Sequence, residues 1–319
     1  MKAMNITNYK LYNDKNNEEF RICSMSDLHY NEATENEKLK MILSNIEKLR
    51  PNYMMIPGDL IDSTDSIIEL KNKRRLLLWL KEMSEISKIF ISLGSHDYYK
   101  LSIDGNKSKD NWNLEFVSNF IEEINDEKNI NVLNNDSYKD NNIFVTGYTQ
   151  SIEYYNPLLN KKSGIFTHNC ENKQVMLEEL KKLKDKIQNI PNDTVNFMMI
   201  HSPIYLKDKE IIENINEYDY YISGHMHNGL VPPVINELWK SSRGIIGPTR
   251  DLFPKNARNT LRYKNDKLIV NGALSTFHEN HGMFSKLNFI YPSYMCVIDF
   301  TKNLEYDKDK IYTKRYYNK

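Results

Sequence analysis

The chain has 319 residues, and its 43 Lys and Arg residues are balanced by 43 Asp and Glu residues. A net charge of zero gives no general attraction to nucleic acid or to an anionic membrane, although it leaves room for a local basic groove. Three widely spaced cysteines disfavour a disulfide framework, and no stretch approaches the roughly 18 consecutive apolar residues of a membrane span. We therefore expect a cytoplasmic protein with no membrane span and no nucleic-acid partner.

Short apolar runs alternate with amphipathic segments along the chain. In order, buried strands are predicted at 20–25, 53–56, 89–93, 195–200 and 220–222, and helices at 39–49, about 66–86 and 176–190. Strand-like pieces at 142–148, 267–271 and 294–300 suggest a second sheet. Helices between short buried strands predict an α/β fold with a helix-covered sheet. We expect a single domain over residues 1–319, with its motifs at about 20–230 and with residues 231–319 completing the second sheet and the cleft wall.

Each of the first five predicted strands is followed directly by a short segment rich in Asp, His and Ser. The segments are Ser26-Asp27-Leu28-His29, Gly58-Asp59-Leu60-Ile61-Asp62, Gly94-Ser95-His96-Asp97, His201-Ser202-Pro203 and Gly224-His225-Met226-His227-Asn228-Gly229. One such segment alone is more often a surface or core feature than a site. Because ligands collect at the carboxyl ends of strands in a helix-covered sheet, five in succession are expected to converge on one rim.

The donor types in these segments indicate a metal site. Mixed imidazole and carboxylate ligands suit Zn, Mn or Fe, whereas Mg and Ca sites use fewer histidines. In Asp27-x-His29 and His225-x-His227, residues two apart on an extended segment would point the same way. Each pair is therefore predicted to present two ligands to one cavity.

As an ordered set, the five segments resemble the motifs of the calcineurin-like metallophosphoesterase superfamily. The resemblance runs from about residue 20 to 230 and is nearest to bacterial phosphodiesterase-type members. It implies a four-layer αββα sandwich of two mixed β-sheets flanked by helices. It also implies a hydrolase with two divalent metal ions (Mn, Fe or Zn) that cleaves a phosphodiester or phosphomonoester by attack of a metal-bridging hydroxide.

The resemblance assigns a role to each residue that matches a motif. Its metal ligands would be Asp27, His29 and His227 for the first ion, His201 and His225 for the second, and Asp59 as the bridge between them. His96 would stabilise the transition state or protonate the leaving oxygen, and Asp62 would orient it. Ser63-Thr64-Asp65 follows Asp62 where protein Ser/Thr phosphatases carry Arg-Gly, which argues against that branch.

One position departs from the family pattern. Ser95 stands where the family usually has Asn, whose carbonyl oxygen binds the second metal. Ser95 is either only a turn residue or the counterpart of that ligand, in which case its shorter hydroxyl ligates directly, acts through a water, or leaves a gap. The results would be a normal dinuclear enzyme, an enzyme with a labile second metal, or a weakened enzyme. The alternative function is therefore a metal-binding scaffold on the same fold, and a DNA-repair nuclease is disfavoured by the neutral charge.

Two further sets of residues have open interpretations. The basic stretch of Arg243, Arg250, Lys255 and Arg258 either walls the substrate cleft or forms a plain surface loop. His278 and His281 flank Glu279, and a loop role is favoured for them over an extension of the metal site.

Overall fold

The structure is a computed structural model that describes residues 4–15, 18–98, 114–155, 172–232, 235, 242–248, 252–263, 266–275, 291–303, 305 and 312–318. The strands within these residues are β1 (Met4–Tyr12), β2 (Phe20–Ser24), β3 (Tyr53–Pro57), β4 (Lys88–Ser92), β5 (Ile130–Val132), β6 (Asp136–Lys139), β7 (Ile143–Tyr148), β8 (Val195–Ile200), β9 (Tyr220–Ser223), β10 (Asn259–Tyr263), β11 (Asp266–Val270), β12 (Ser293–Thr301) and β13 (Tyr312–Asn318). They form one sheet in the order β13-β1-β12-β2-β3-β4-β5 and another in the order β10-β11-β9-β8-β7-β6.

Both sheets are mixed. In the first, β2, β3, β4 and β5 are parallel neighbours, and β12 joins β2 antiparallel. In the second, β7, β8, β9 and β11 are parallel neighbours, and the outermost strands, β6 and β10, pair antiparallel with β7 and β11. Parallel strands joined by helices have their carboxyl ends at one edge of a sheet, so each sheet has one edge where the loops that follow its strands gather.

The helices cover the outer faces of the two sheets. In chain order they are α1 (Asn36–Leu49), α2 (Leu70–Ile86), α3 (Leu114–Asn125), α4 (Ile152–Tyr155), α5 (Lys173–Lys186) and α6 (Lys209–Ile215). α1 ends where Arg50 enters the left-handed region at φ 44°, and Pro51 cannot continue the helix. The helix expected at about 66–86 begins instead as a short 3-10 helix, Thr64–Ile67, and the one expected at 176–190 ends at Lys186.

Three apolar layers hold the fold together. One, with Ile42 and Leu80, lies between the first sheet and its helices. Another, with Phe90 and Phe197, lies between the two sheets. A third, with Met176, packs helices against the second sheet. The order helix, sheet, sheet, helix confirms the predicted four-layer αββα sandwich.

The predicted assignment of strands to sheets was wrong at two points. The 294–300 piece, expected in the second sheet, is part of β12, which lies between β1 and β2 in the first. Of the five strands that precede the polar segments, β2, β3 and β4 lie in the first sheet, whereas β8 and β9 lie in the second. Strands buried on both faces have similar apolar sequences in either sheet, so composition does not distinguish them.

Candidate metal centre

The first two polar segments are joined to each other by their main chains. The N–H of Asp27 donates to the carbonyl of Gly58 at 3.2 Å, and the N–H of His29 donates to the carbonyl of Asp59 at 3.1 Å. These bonds extend the pairing of β2 with β3 beyond the ends of the strands. The ligands of the two segments are therefore held side by side by backbone hydrogen bonds, independently of any ion.

The Asp-x-His and His-x-His pairs do not converge by strand alternation, so the predicted extended geometry is wrong. Five of the predicted ligands have positive φ values between 46° and 68°, namely Asp27, His29, Asp59, His225 and His227. Residues other than glycine rarely adopt this region, and such conformations concentrate at functional sites. The side chains of each pair meet because the backbone turns sharply at both members.

The predicted ligands fall into two compact groups. Within each group the ligating atoms lie within 4.8 Å of one another, and the groups are Asp27, His29, His227 and Asp59, His201, His225. In the first, Nε2 of His29 lies 3.3 Å from Nε2 of His227, which lies 3.5 Å from Oδ1 of Asp27. In the second, Nε2 of His201 lies 3.0 Å from Oδ2 of Asp59. The structure thus brings together the same two sets that the resemblance implies.

The second group has the chemistry of a cation site. Nδ1 of His201 lies 2.8 Å from the carbonyl oxygen of Pro57, so this nitrogen is placed to donate a hydrogen bond to the carbonyl, which leaves Nε2 directed at Asp59. Burial alone would lower the pKa of His201, but the Asp59 carboxylate beside it raises that pKa to about 9. Burial would raise the pKa of Asp59, yet the surrounding imidazoles hold it well below its usual range. A divalent cation can take the place of the shared proton, and both groups fit such ions.

Two glycines leave the space that these ligands occupy. A Cβ atom on Gly58, whose φ is 87°, would lie 2.5 Å from Nδ1 of His201. A Cβ atom on Gly224 would lie 2.7 Å from Oδ2 of Asp27. The backbone passes too close to the ligands at both positions for any side chain.

His96 and Asp62 lie next to the first group. Nδ1 of His96 is 2.8 Å from the main-chain oxygen of Asp62 and 3.7 Å from its carboxylate Oδ1. The same Oδ1 is 3.9 Å from Nδ1 of His29, and the rings of His29 and His96 meet edge to face. Asp62 is therefore in a position to orient His96, but its closer contact is made by the peptide carbonyl and not by the side chain.

Asp97 organises the centre and received no role in the sequence interpretation. Its Oδ2 accepts hydrogen bonds from the N–H groups of Asp59 at 2.9 Å and Gly94 at 2.8 Å, and its Oδ1 accepts from Ile61 at 3.1 Å. Burial, reinforced by the charge of Asp59, raises the pKa of Asp97 to about 7. The only signal in the sequence was its position at the end of the third polar segment.

Ser95 begins a short 3-10 helix, Ser95–Asp97, and is buried. The next residue, His96, donates its main-chain N–H to Oδ1 of Asp59 at 2.8 Å. The backbone that carries Ser95 is thereby fixed to the predicted bridging ligand. Ligation of the second metal by the serine hydroxyl stays a prediction.

The remaining candidates are the basic stretch and the two late histidines, of which only some lie within the described residues. Arg258 is buried and lines a small polar cavity with Asn228, so it is not a cleft-wall cation open to solvent. Arg243 is exposed and donates from Nη1 to the carbonyl of Phe253. Arg250, His278 and His281 lie outside the described residues.

Comparison with known proteins identifies the family. The sequence profile of the family described as calcineurin-like phosphoesterase matches residues 20–229, well over half of the chain. This chain belongs to the calcineurin-like phosphoesterase family. The predicted resemblance is thereby confirmed, and with it the predicted enzyme class, a metal-dependent phosphoesterase.

Individual relatives of this phosphoesterase are distant. A Danio rerio "Transmembrane protein with metallophosphoesterase domain" is 29% identical over 85 residues, 27% of this chain and 18% of that protein. An "Uncharacterized metallophosphoesterase" of Aquifex aeolicus is 22% identical over 231 residues, 71% of this chain and 72% of that protein. A crystal structure of a dimetal phosphatase from Danio rerio superposes with a TM-score of 0.42 at 11% identity, covering 80% of this chain and 87% of that one. Among the described residues, no helix combines the length and apolarity that crossing a membrane requires.

Proposed function

We propose that this chain is a dinuclear phosphoesterase that hydrolyses a phosphodiester or a phosphomonoester. The observation that carries the proposal is the position of Asp59. Its Oδ2 lies 3.0 Å from Nε2 of His201 in one donor group and 3.9 Å from Nε2 of His29 in the other. A carboxylate between two histidine-rich groups suits a ligand shared by both ions. Two divalent cations held there supply positive charge for phosphate oxygens and lower the pKa of water.

His96 is the group that we assign to the leaving oxygen. With Nδ1 directed at the Asp62 carbonyl, Nε2 is the nitrogen that can serve the substrate. The charged imidazole donates from both nitrogens, and it can release the Nε2 proton to a departing alkoxide while its bond to the carbonyl stays intact. The side chain of His96 is 12% exposed, so solvent and substrate reach it.

Asp62 positions this proton donor. Its carbonyl fixes the ring, and its carboxylate, between His29 and His96, attracts positive charge on either imidazole. A carbonyl acceptor is present whatever the side chain at position 62. The ring of His96 is therefore held mainly by the backbone of the Asp62 loop.

The remaining parts of the proposal concern the number of domains, the substrate class, the cellular location and the metal. We assign the whole chain to one domain, because β1, near the start of the sequence, pairs with both β12 and β13, near its end. The substrate is a phosphoester outside the nucleic acids, which the neutral charge supports. We place the protein in the cytoplasm, in keeping with its few cysteines. Manganese is one of the ions that the donor set suits.

The second candidate function is a metal-binding scaffold or a weakened enzyme on the same fold. The observation that favours it is Ser95, because a hydroxyl is a shorter and weaker donor than a carboxamide oxygen. The intact pair of donor groups and the placement of His96 favour catalysis.

The test of the proposal is reconstitution of the purified protein with Mn²⁺, Zn²⁺ or Fe²⁺ after chelation. Hydrolysis of p-nitrophenyl phosphate and bis(p-nitrophenyl) phosphate is measured together with the metal content. The Asp59→Asn variant should lose metal from both groups together and lose activity, whereas Asp193→Asn, at an exposed carboxylate, should match the wild type. Two ions bound tightly to Asp59→Asn would refute the bridging role. A wild-type protein with two ions and no hydrolysis of either ester would support the scaffold.

A further inference from the structure

Most of the large exposed hydrophobic side chains among the described residues lie at one edge of the fold. We call it the catalytic edge, because it carries Asp59 and His96. Among the described residues, those classed as exposed are Ile68, Leu70, Leu78, Leu114, Leu252 and Phe253. Leu252 is 71% exposed and Phe253 49% exposed. Single apolar residues scattered over a protein surface are normal, but all of these except Leu78, in the middle of α2, lie at one edge of the fold, which points to an interaction site.

The topology places Ile68, Leu70 and Leu114 at that edge. β3, β4 and β5 are parallel, and α2 and α3 run back between them. Each helix therefore begins at the edge where the strand before it ends, which is the edge that carries Asp59 and His96. Ile68 and Leu70 lie at the start of α2, and Leu114 is the first residue of α3.

Leu252 and Phe253 lie on a loop that is built against the last metal segment. The N–H of Ile245 donates to the carbonyl of Gly229 at 2.7 Å, and Gly229 is two residues beyond the ligand His227. The N–H of Phe253 donates to the carbonyl of Ile245 at 2.9 Å, which closes the loop. The loop is thus tied to the metal centre through its main chain.

The backbone of this loop holds Phe253 outward. Its φ is 54°, a left-handed conformation that is strained for an aromatic residue. The carbonyl of Phe253 accepts a hydrogen bond from Nη1 of Arg243 at 3.3 Å. A strained backbone with a supporting guanidinium presents a large ring to solvent, where burial would normally be favoured. This arrangement indicates that the exposed ring has a binding role.

The charges around the loop indicate the partner. Arg243 and Lys255 are exposed beside the apolar tip. We propose that the catalytic edge docks on a lipid bilayer with anionic headgroups. Leu252 and Phe253 enter the boundary between headgroups and acyl chains, and the two cations meet lipid phosphates.

A second copy of this chain fits the same face less well. Self-association in closed symmetric dimers pairs a surface patch with its own copy. Such an interface would bring Arg243 and Lys255 of both copies together, and like charges across an interface oppose association. An anionic bilayer instead complements the cations and accepts the apolar side chains.

The test is sedimentation with sucrose-loaded vesicles of phosphatidylcholine alone or mixed with phosphatidylglycerol. The wild type should bind the mixed vesicles. The double variant Leu252→Ser/Phe253→Ser should bind them at least about tenfold more weakly, because burial of either side chain contributes more than that factor. Leu78→Ser, which removes a leucine that is 60% exposed in the middle of α2, is the matched control and should bind like the wild type.

A second pair of variants tests the charge. Lys255→Gln should weaken binding to the mixed vesicles at low salt and leave binding to phosphatidylcholine unchanged. Lys48→Gln, at an exposed lysine in the last turn of α1 and so at the opposite edge of the sheet, should change neither. The proposal is refuted if the wild type stays in the supernatant, if the double variant binds undiminished, or if light scattering shows that the double variant has halved its mass. Binding requires no hydrolysis, so failure here is distinguishable from failure of the proposed activity.

Discussion

The main-chain N–H of Asp59 donates a hydrogen bond of 2.9 Å to the carboxylate of Asp97. Asp59 follows β3 and Asp97 follows β4, so this bond joins the predicted bridging ligand to the turn that carries His96. The carboxylate of Asp97 also accepts from Gly94 and Ile61. One buried side chain therefore sets the distance between the predicted metal bridge and the predicted proton donor.

Replacement of Asp97 should destabilise the metal-free protein. Asp97→Ala leaves three buried N–H groups without their acceptor, and each such loss costs roughly 1–3 kcal/mol. We expect the free energy of unfolding to fall by at least about 2 kcal/mol in urea titrations with chelator. Asp193→Ala, at a carboxylate that is 74% exposed, is the control. Equal stabilities of the two variants would show that the Asp97 contacts contribute little.

Replacement of His96 should separate chemistry from metal binding. His96→Ala should retain the metal stoichiometry and lose about 10²–10⁴ in turnover, the usual range for a positioned acid. The loss should be smaller for p-nitrophenyl esters than for alkyl esters, because an acidic leaving group needs less protonation. Identical losses on both kinds of ester would exclude the general-acid role.

The carboxylate of Asp62 should matter less than the His96 ring. The carbonyl at position 62 remains 2.8 Å from Nδ1 of His96 in Asp62→Asn, whereas only the more distant carboxylate contact is altered. Turnover in Asp62→Asn should therefore exceed that of His96→Ala on the same alkyl ester. The opposite order would show that the carboxylate, rather than the carbonyl, holds the imidazole.

Ser95 should control the affinity of the second ion. If its hydroxyl is the weak ligand, activity should rise with Mn²⁺ in a tight and a loose phase. Ser95→Asn, which offers a carbonyl oxygen, should tighten the loose phase alone, and Ser95→Ala should loosen it further. A single activation curve shared by all three proteins would make Ser95 a turn residue only. A thermal melt of each variant separates that outcome from simple unfolding.

The pH dependence of stability should report on Glu179, far from the metal ligands in sequence. Burial raises the pKa of Glu179, whose Oε2 accepts from the Tyr148 hydroxyl at 2.6 Å. A folded pKa above the unfolded value means that stability is lost as pH rises from the unfolded pKa through the folded one. The wild type should therefore lose stability relative to Glu179→Gln as the pH rises above about 4.5, the ordinary pKa of a glutamate, in urea titrations with chelator. Glu178→Gln, one residue earlier and exposed on α5, should follow the wild type at every pH.

Much of the centre could be predicted because polar ligands follow buried strands. Asp27, Asp59 and His201 each come directly after such a run, and that pattern alone indicates a rim of ligands. The role of Asp97 could not be predicted, since its partners are backbone N–H groups of three separate positions. The left-handed backbone at His225 could not be predicted either, because it is imposed by tertiary contacts and not by local propensity.

The fold was predictable to the level of layers but not of strand neighbours. Helical spacing at α1 and α5 and the apolar runs between them suffice for a helix-covered sheet. β1 was not predicted. Its apolar residues recur at every second position, first at Met4 and Ile6 and then at Tyr9 and Leu11, and this spacing could have identified the strand. The placement of β12 depends on pairing between segments nearly the whole chain apart, which local sequence does not encode.

The position of β12 has a consequence for synthesis of the protein. Every predicted ligand has been translated by residue 227, yet β2 pairs with β12 on one side. The segment that follows β11 also supports the Asp27 loop, since Ser275 donates its N–H to the Asp27 carbonyl. In a nascent chain that already contains all the ligands, β2 still lacks its hydrogen-bonding partner on the side where β12 will pair. Ribosome-bound chains should therefore acquire high affinity for metal only when residues 293–301 have emerged, long after the last histidine of the centre.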